Sequence, residues 1–147
     1  MSRPAPWRLS RDAYPAIETK QTRFQDLDIN NHLNNVAFAA LFEDARVRMN
    51  RALGRVHQNQ GEAGGFRGVV ARNEINYLAE GSYPEDVEIA IGIGRIGHRS
   101  FEMLAAMFQS GRCIATCDTT VVMTDPKHAG LPDAFRARLH AMACTQP

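Results

Sequence analysis

The sequence predicts an α+β domain in which one long helix lies against an antiparallel sheet of five strands and a short helix closes the chain. Two periodicities and a length lead there. Between residues 36 and 53, Phe38, Phe42, Ala45, Met49 and Ala52 or Leu53 recur at steps of three and four, the period of a helix with one buried face. Beyond residue 68 the period changes to two over four segments rich in Val, Ile, Phe, Thr or Met: 69–78, 86–96, 100–110 and 112–123. The 147 residues are enough for one domain with a substantial core, and no internal repeat or second domain interrupts them.

Composition narrows the function classes. Hydrophobic residues make up 44% and charged residues 22%, ordinary for a soluble globular chain, and 17 basic residues against 16 acidic ones give no electrostatic basis for binding nucleic acid. Residues 1–13 carry Pro4, Pro6 and three arginines without a continuous apolar run, so they read as neither a signal peptide nor a membrane span. Residues 1–15 are expected to be a loose leader to a single domain spanning 1–147, with 125–147 as its tail. Cys113 and Cys117 sit four apart on an expected strand, roughly 13 Å from each other at about 3.3 Å per residue, too far to bond. A zinc pair would need further ligands, and His128 and His140 have no recognisable spacing to it. Reduced thiols in a cytoplasmic protein are the simpler account.

Along the chain, residues 16–24 contain Ile, two Thr and Phe and lack Gly or Pro, which reads as a first strand. The helix of 36–53 carries Glu43 with Arg46 and Asp44 with Arg48 at pairing distance, and Gly54 supplies its stop. Arg48, Arg51 and Arg55 are best read as a solvated face. The stretch 61–68 has four glycines but no Lys-Ser/Thr ending, so it is a flexible connection or lid and not a phosphate loop. In 86–96, Val87, Ile89, Ile91 and Ile93 alternate with Glu88, Ala90, Gly92 and Gly94. The small residues mark a face that something lies against, most economically the long helix. Gly97-His98 and Ser110-Gly111 are hairpin turns, which makes the strands antiparallel. Asp125-Pro126 ends the sheet, and Leu131, Phe135, Leu139 and Met142 give the short terminal helix.

The stretch with chemical content is Asp26-Leu27-Asp28-Ile29-Asn30-Asn31-His32-Leu33-Asn34-Asn35, a polar turn running into the helix. Asn and Asp make turns and cap helices without doing chemistry. Capping alone does not explain two acids at alternate positions with a histidine four residues past the second. A helix start presents free N–H groups and a positive dipole end, which favour negative charge developing on a carbonyl oxygen. Asn31 is expected at a positive φ that many chains give to Gly.

These residues resemble the Asp-x-Asp-x-x-Gly-His-Val-Asn-Asn signature of hot-dog acyl-CoA thioesterases, the 4-hydroxybenzoyl-CoA thioesterase-like family. The order strand, polar turn, long helix, four antiparallel strands is also that of the hot-dog fold, over roughly residues 16–124. The resemblance implies Asp28 as nucleophile or general base on an acyl-CoA thioester and a backbone N–H at or beside Asn35 as oxyanion donor. Asp26, Asn31 and His32 then shape the site. Coenzyme A enters as part of the substrate, with no separate cofactor and no metal. Gly97-His98-Arg99-Ser100-Phe101 is similar to a segment that contacts the nucleotide end of CoA, which makes His98, Arg99 and Ser100 candidate CoA-binding residues, although exposed turn residues look the same. The resemblance further implies a homodimer or homotetramer with the site between subunits. Asn31 departs from the usual Gly, and Phe38 stands where many members have Tyr.

Other classes fit less well. A hot-dog dehydratase or hydratase could use Glu43, but its histidine motif is missing; a non-catalytic acyl-CoA binding module has no need of Asp28. No Gly-x-Ser-x-Gly marks a serine hydrolase. Asp118 is either a site-supporting acid within the last strand or an exposed strand residue.

Overall fold

The computed structural model describes residues 3–54 and 67–146. Its helix α1 spans Asn35–Ala52, and five strands follow the chain as β1 (Ala16–Lys20), β2 (Gly68–Tyr77), β3 (Val87–Ile96), β4 (Ser100–Gln109) and β5 (Arg112–Met123), before helix α2 (Asp133–Ala141). The strands form one antiparallel sheet in the order β1-β3-β4-β5-β2, and this wrapped sheet around a central helix is the hot-dog fold. The connection expected over 61–68 lies, up to Phe66, outside the described residues.

The helix-facing side of the sheet is the larger core. Phe38, Phe42, Ala45 and Met49 of α1 meet Val87, Ile89, Ile91 and Ile93 of β3, with Met103 and Met107 of β4 and Val121 and Met123 of β5. Each large side chain buried here contributes about 1.5–3 kcal/mol of transfer free energy. Phe135 and Leu139 of α2 close this core from one end, Phe135 standing edge-on to Phe101 at 5.6 Å. Lys20 of β1 ties the sheet to α1 through Asp44, which also takes Arg48 at 2.9 Å.

The structure departs from expectation in three places. First, β1 stops at Lys20, because Phe24–Asp26 turn into a short 3₁₀ segment that leads into the polar turn. Second, the small-residue face of β3 does not lie against α1. Ala90 belongs to a second cluster with Ala13, Tyr14, Leu104, Ala106 and Phe108 on the outer side of the sheet, and a Cβ on Gly92 would meet Pro15 and Cys144. The isoleucines are the helix-facing set, because period-two alternation divides the two faces without saying which element covers each.

Third, the leader expected to be loose is packed. Pro6–Leu9 and Arg11–Ala13 form 3₁₀ turns, and Arg8, Ala13 and Tyr14 are each only 6% exposed. Arg8 donates through Nε to Tyr14 Oη at 2.9 Å, and through Nη2 to the Ala105 carbonyl at 3.2 Å and Asp118 Oδ1 at 2.6 Å. Asp118 is thus a half-exposed strand residue with a buried partner. The chain's end adds to the same side: the Ile93 amide donates to Met142 O, Cys144 N to Ile93 O and Thr145 N to Ala13 O.

Candidate active site

The turn after β1 is built as a closed loop. The Asp28 amide donates to His32 O at 2.8 Å, the Asn31 amide to Asp28 O at 3.0 Å, and Leu27 pairs with Leu33 in an isolated antiparallel bridge. Asn31 takes φ of 64°, the left-handed conformation that Asn tolerates and that closes the loop. Asn34 then caps α1, its Oδ1 accepting from the Ala37 amide at 2.8 Å.

The two acids of the motif have separate fates. Asp26 is 3% exposed; its Oδ2 accepts from the Arg23 amide at 2.9 Å and from Arg23 Nε, and its Oδ1 from Arg23 Nη2 at 2.8 Å. Both of its oxygens are engaged by Arg23, which closes the 3₁₀ segment Phe24–Asp26 that leads into the turn. Asp28 is exposed, and only its Oδ1 is engaged, accepting from the amides of Asn30 at 2.8 Å and His32 at 3.2 Å. Its Oδ2 has no hydrogen-bond partner among the described residues. The backbone fixes one oxygen and, among the described residues, leaves the other unengaged.

Asp28, Asn30, His32 and Asn35 line one wall of a cleft of about 640 Å³, with Phe38 at its back. The amides of Asn35 and Val36, at the first turn of α1, have no acceptor among the described residues, as expected where a helix begins. The facing wall is the chain leaving β2, Tyr77 to Glu80, and Arg112 stands at the start of β5. Tyr77 meets Phe38 edge-on at 5.3 Å. Gly81 lets this wall approach: the Leu33 amide donates to its carbonyl at 2.9 Å, and a Cβ there would lie 2.6 Å from Leu33 Cδ1. Glu80 Oε2 reaches His32 Nε2 at 3.2 Å.

Tyr77, Glu80 and Arg112 were missing from the sequence reading. Gly81, close after a strand, was the one signal available for this wall. The turn at residues 97–100 lies apart from the cleft within one chain. There Arg99 Nη1 donates to the His128 and Ala129 carbonyls at 2.8 and 3.1 Å, and Nη2 to those of Met123 and Asp125 at 3.3 Å each. His98 is exposed beside Gly130, and Ser100 opens β4 opposite Val122. Glu43 is on the outer face of α1, 67% exposed and paired with Arg46 at 3.3 Å, away from the cleft.

A hot-dog domain with an acid-bearing turn at the start of its helix is the class that fold and site define. The chain belongs to the thioesterase-like superfamily, whose family model matches residues 22–139. Among solved structures it is similar to the PA5185 protein from Pseudomonas aeruginosa, with 25% identity over 93% of this chain and 97% of that one and a TM-score of 0.78. It is also similar to a thioesterase from Thermus thermophilus solved with coenzyme A and zinc, with 27% identity over 89% and 96% and a TM-score of 0.73. A thioesterase superfamily protein from a Jannaschia species shares 25% identity over 92% and 83%, with a TM-score of 0.73. No curated protein matches the chain. Among the described residues, no helix is long and apolar enough to cross a membrane.

Proposed function

We propose that this protein hydrolyses an acyl-CoA thioester to the free acid and CoA. The observation that carries the reading is the half-engaged carboxylate of Asp28 in the same cleft as Asn35, the first residue of α1, whose amide has no acceptor among the described residues. Membership of the thioesterase-like superfamily and the coenzyme A bound to the Thermus relative support a CoA thioester as ligand.

In this reading the thioester carbonyl points at the α1 start, where the Asn35 or Val36 amide and the helix dipole stabilise the oxyanion. Asp28 Oδ2 either attacks the carbonyl carbon, giving a mixed anhydride that water opens, or takes a proton from the attacking water. Thiolate leaves in both cases. A thiolate is a good leaving group, so a positioned acid or base and one oxyanion donor suffice. Asp26, Asn31 and His32 hold the turn in shape, and His98, Arg99 and Ser100 are assigned to the nucleotide end of CoA, outside the cleft.

The active form is proposed to be a cytoplasmic homodimer or homotetramer. Among the described residues strand β2 is an edge of the sheet, with Val69, Val70 and Tyr77 each more than 40% exposed, and Val36 and Val47 are exposed on α1. A second copy pairing there would place its residues beside the cleft. Purified protein assayed on a panel of acyl-CoA thioesters with colorimetric thiol detection tests the activity, and sedimentation tests the assembly. Binding of acyl-CoA without turnover of any panel member would replace the enzyme by a binding module.

A further inference from the structure

Arg112 stands out among the cleft residues because its charge has no partner among the described residues. Among the described residues it is the one permanently cationic side chain lining the cleft, which it shares with the acids Asp28 and Glu80. Glu80 pairs with His32, and Asp28 takes backbone amides. The Arg112 guanidinium forms no ion pair or side-chain hydrogen bond among the described residues, although other surface arginines, such as Arg11, Arg48 and Arg72, each find an acid. Its place is set by the backbone. Ser110 and Gly111 take φ of 49° and 78°, a two-residue hairpin turn with both centres left-handed, and Arg112 is the first residue after it.

We propose that Arg112 is the receptor for an anionic oxygen group of the thioester ligand, in the first instance the terminal carboxylate of a short dicarboxylic acyl chain. The inference rests on the thioester-hydrolysis reading of the cleft and names the substrate class it admits. Asp28 and Glu80 repel an anion that enters beside them, so a substrate with a charged acyl end needs a compensating cation, whereas a neutral acyl chain does not. A guanidinium that no described residue engages suits the two oxygens of a carboxylate. Its position in the same cleft as the reactive carboxylate favours the acyl end over the CoA phosphates, which the pantetheine arm holds far from the sulfur. Arg112 also lines an adjoining cavity of about 710 Å³ with Arg3, Leu9 and Cys113, so the anion could sit at the junction of the two. Phosphate offers the same chemistry, and the test separates the two sources.

The experiment measures binding by calorimetry for the full-length wild type and Arg112→Gln, using thioether analogues that cannot be hydrolysed: S-butyl-CoA, its counterpart with a terminal carboxylate, and the matching pair built on pantetheine without phosphates. Thermal midpoints of the two proteins verify that the variant folds. The expected result is a loss of roughly tenfold or more in the variant for the two carboxylate-bearing analogues, with less than about twofold change for the butyl ones. An equal loss on both CoA analogues, absent from both pantetheine ones, also supports the anion receptor and assigns the anion to phosphate. No loss on any analogue, or the same loss on neutral butyl pantetheine, overturns it. Turnover by the wild type of butyryl-CoA or of its counterpart with a terminal carboxylate is read alongside. If that is absent while the binding differences persist, hydrolysis falls and the Arg112 assignment stands.

Discussion

Arg8 Nη2 and Asp118 Oδ1 lie 2.6 Å apart across 110 residues of sequence, and this contact fixes the N-terminal segment to the outer side of the sheet. The Arg8 side chain is 7% exposed and that of Asp118 35%, so the two ends differ in what happens when the partner is removed. Asp118→Ala leaves a buried guanidinium whose remaining acceptors are Tyr14 and the Ala105 carbonyl; Arg8→Met keeps most of the packing and leaves an acid that water can reach. Asp118→Ala is expected to cost about 1–3 kcal/mol of stability, below the 3–5 typical of a wholly orphaned buried charge, and Arg8→Met less. Urea unfolding at a fixed protein concentration measures both, and a larger loss in Arg8→Met would mean that packing, not charge, anchors the segment.

The same cluster gives a pH dependence on the alkaline side. Burial pushes the Tyr14 hydroxyl up to about 12, against the opposing hydrogen bond from Arg8, and burial pushes the Cys144 thiol up to about 11. Both groups keep their protons in the folded chain where the unfolded chain releases them. Their contribution is therefore complete below pH 9 and is lost as pH rises through about 11 for Cys144 and about 12 for Tyr14. For Tyr14 this amounts to about 3 kcal/mol between the unfolded and folded titrations. Tyr14→Phe should flatten the decline of unfolding free energy between pH 10 and 12; an unchanged slope would show that the hydroxyl is solvated.

Arg99 separates a structural role from a ligand role. Its guanidinium holds four carbonyls of the segment running from Met123 to Ala129, and this segment leads into α2. Arg99→Ala is expected to lower the thermal midpoint by several degrees, as the loss of about 1–2 kcal/mol would in a chain of this size. If Arg99 also contacts a CoA phosphate, KM for acyl-CoA rises with kcat unchanged, because such a contact is equal in ground and transition states. The expected outcome is a lower midpoint together with a raised KM; a lower midpoint with KM within about twofold would leave the guanidinium to the carbonyls alone and remove Arg99 from the CoA contacts.

What was legible in the sequence was what repeats or what is local. The period of α1 and the alternation of β3 are set by burial on one side and survive in any view of the chain, and the loop from Asp26 to Asn35 closes on itself through backbone contacts within ten positions. Arg8 was not legible, because a Pro-rich run has no period and its partner lies in the last strand. Glu80 and Arg112 were hidden for a related reason. Each belongs to the end of a different strand, and only the antiparallel pairing of β2 with β5 brings those ends to the Asp28 turn. The covering of the small face of β3 was misjudged because sequence alternation says that two faces differ but not which neighbour each one has.

The last prediction divides the two acids of the turn. Asp26 gives both oxygens to Arg23 and is buried, so Asp26→Asn removes a charge-assisted pair and should cost about 1–3 kcal/mol in stability, with the folded protein keeping turnover within about tenfold of the parent. Asp28 is exposed, and Asn at that position can still accept the Asn30 and His32 amides through its carbonyl oxygen, so the loop keeps its shape. What is lost is the free Oδ2 as base or nucleophile. Asp28→Asn should therefore unfold at nearly the parent midpoint and bind CoA unchanged, while kcat falls by roughly 10² to 10⁴, or further if the carboxylate is the nucleophile. Thermal melts and steady-state thioester kinetics on both variants give the comparison. A stable, active Asp28→Asn beside an inactive Asp26→Asn of unchanged stability would reverse the roles of the pair, and two active variants would place thioester cleavage outside this turn.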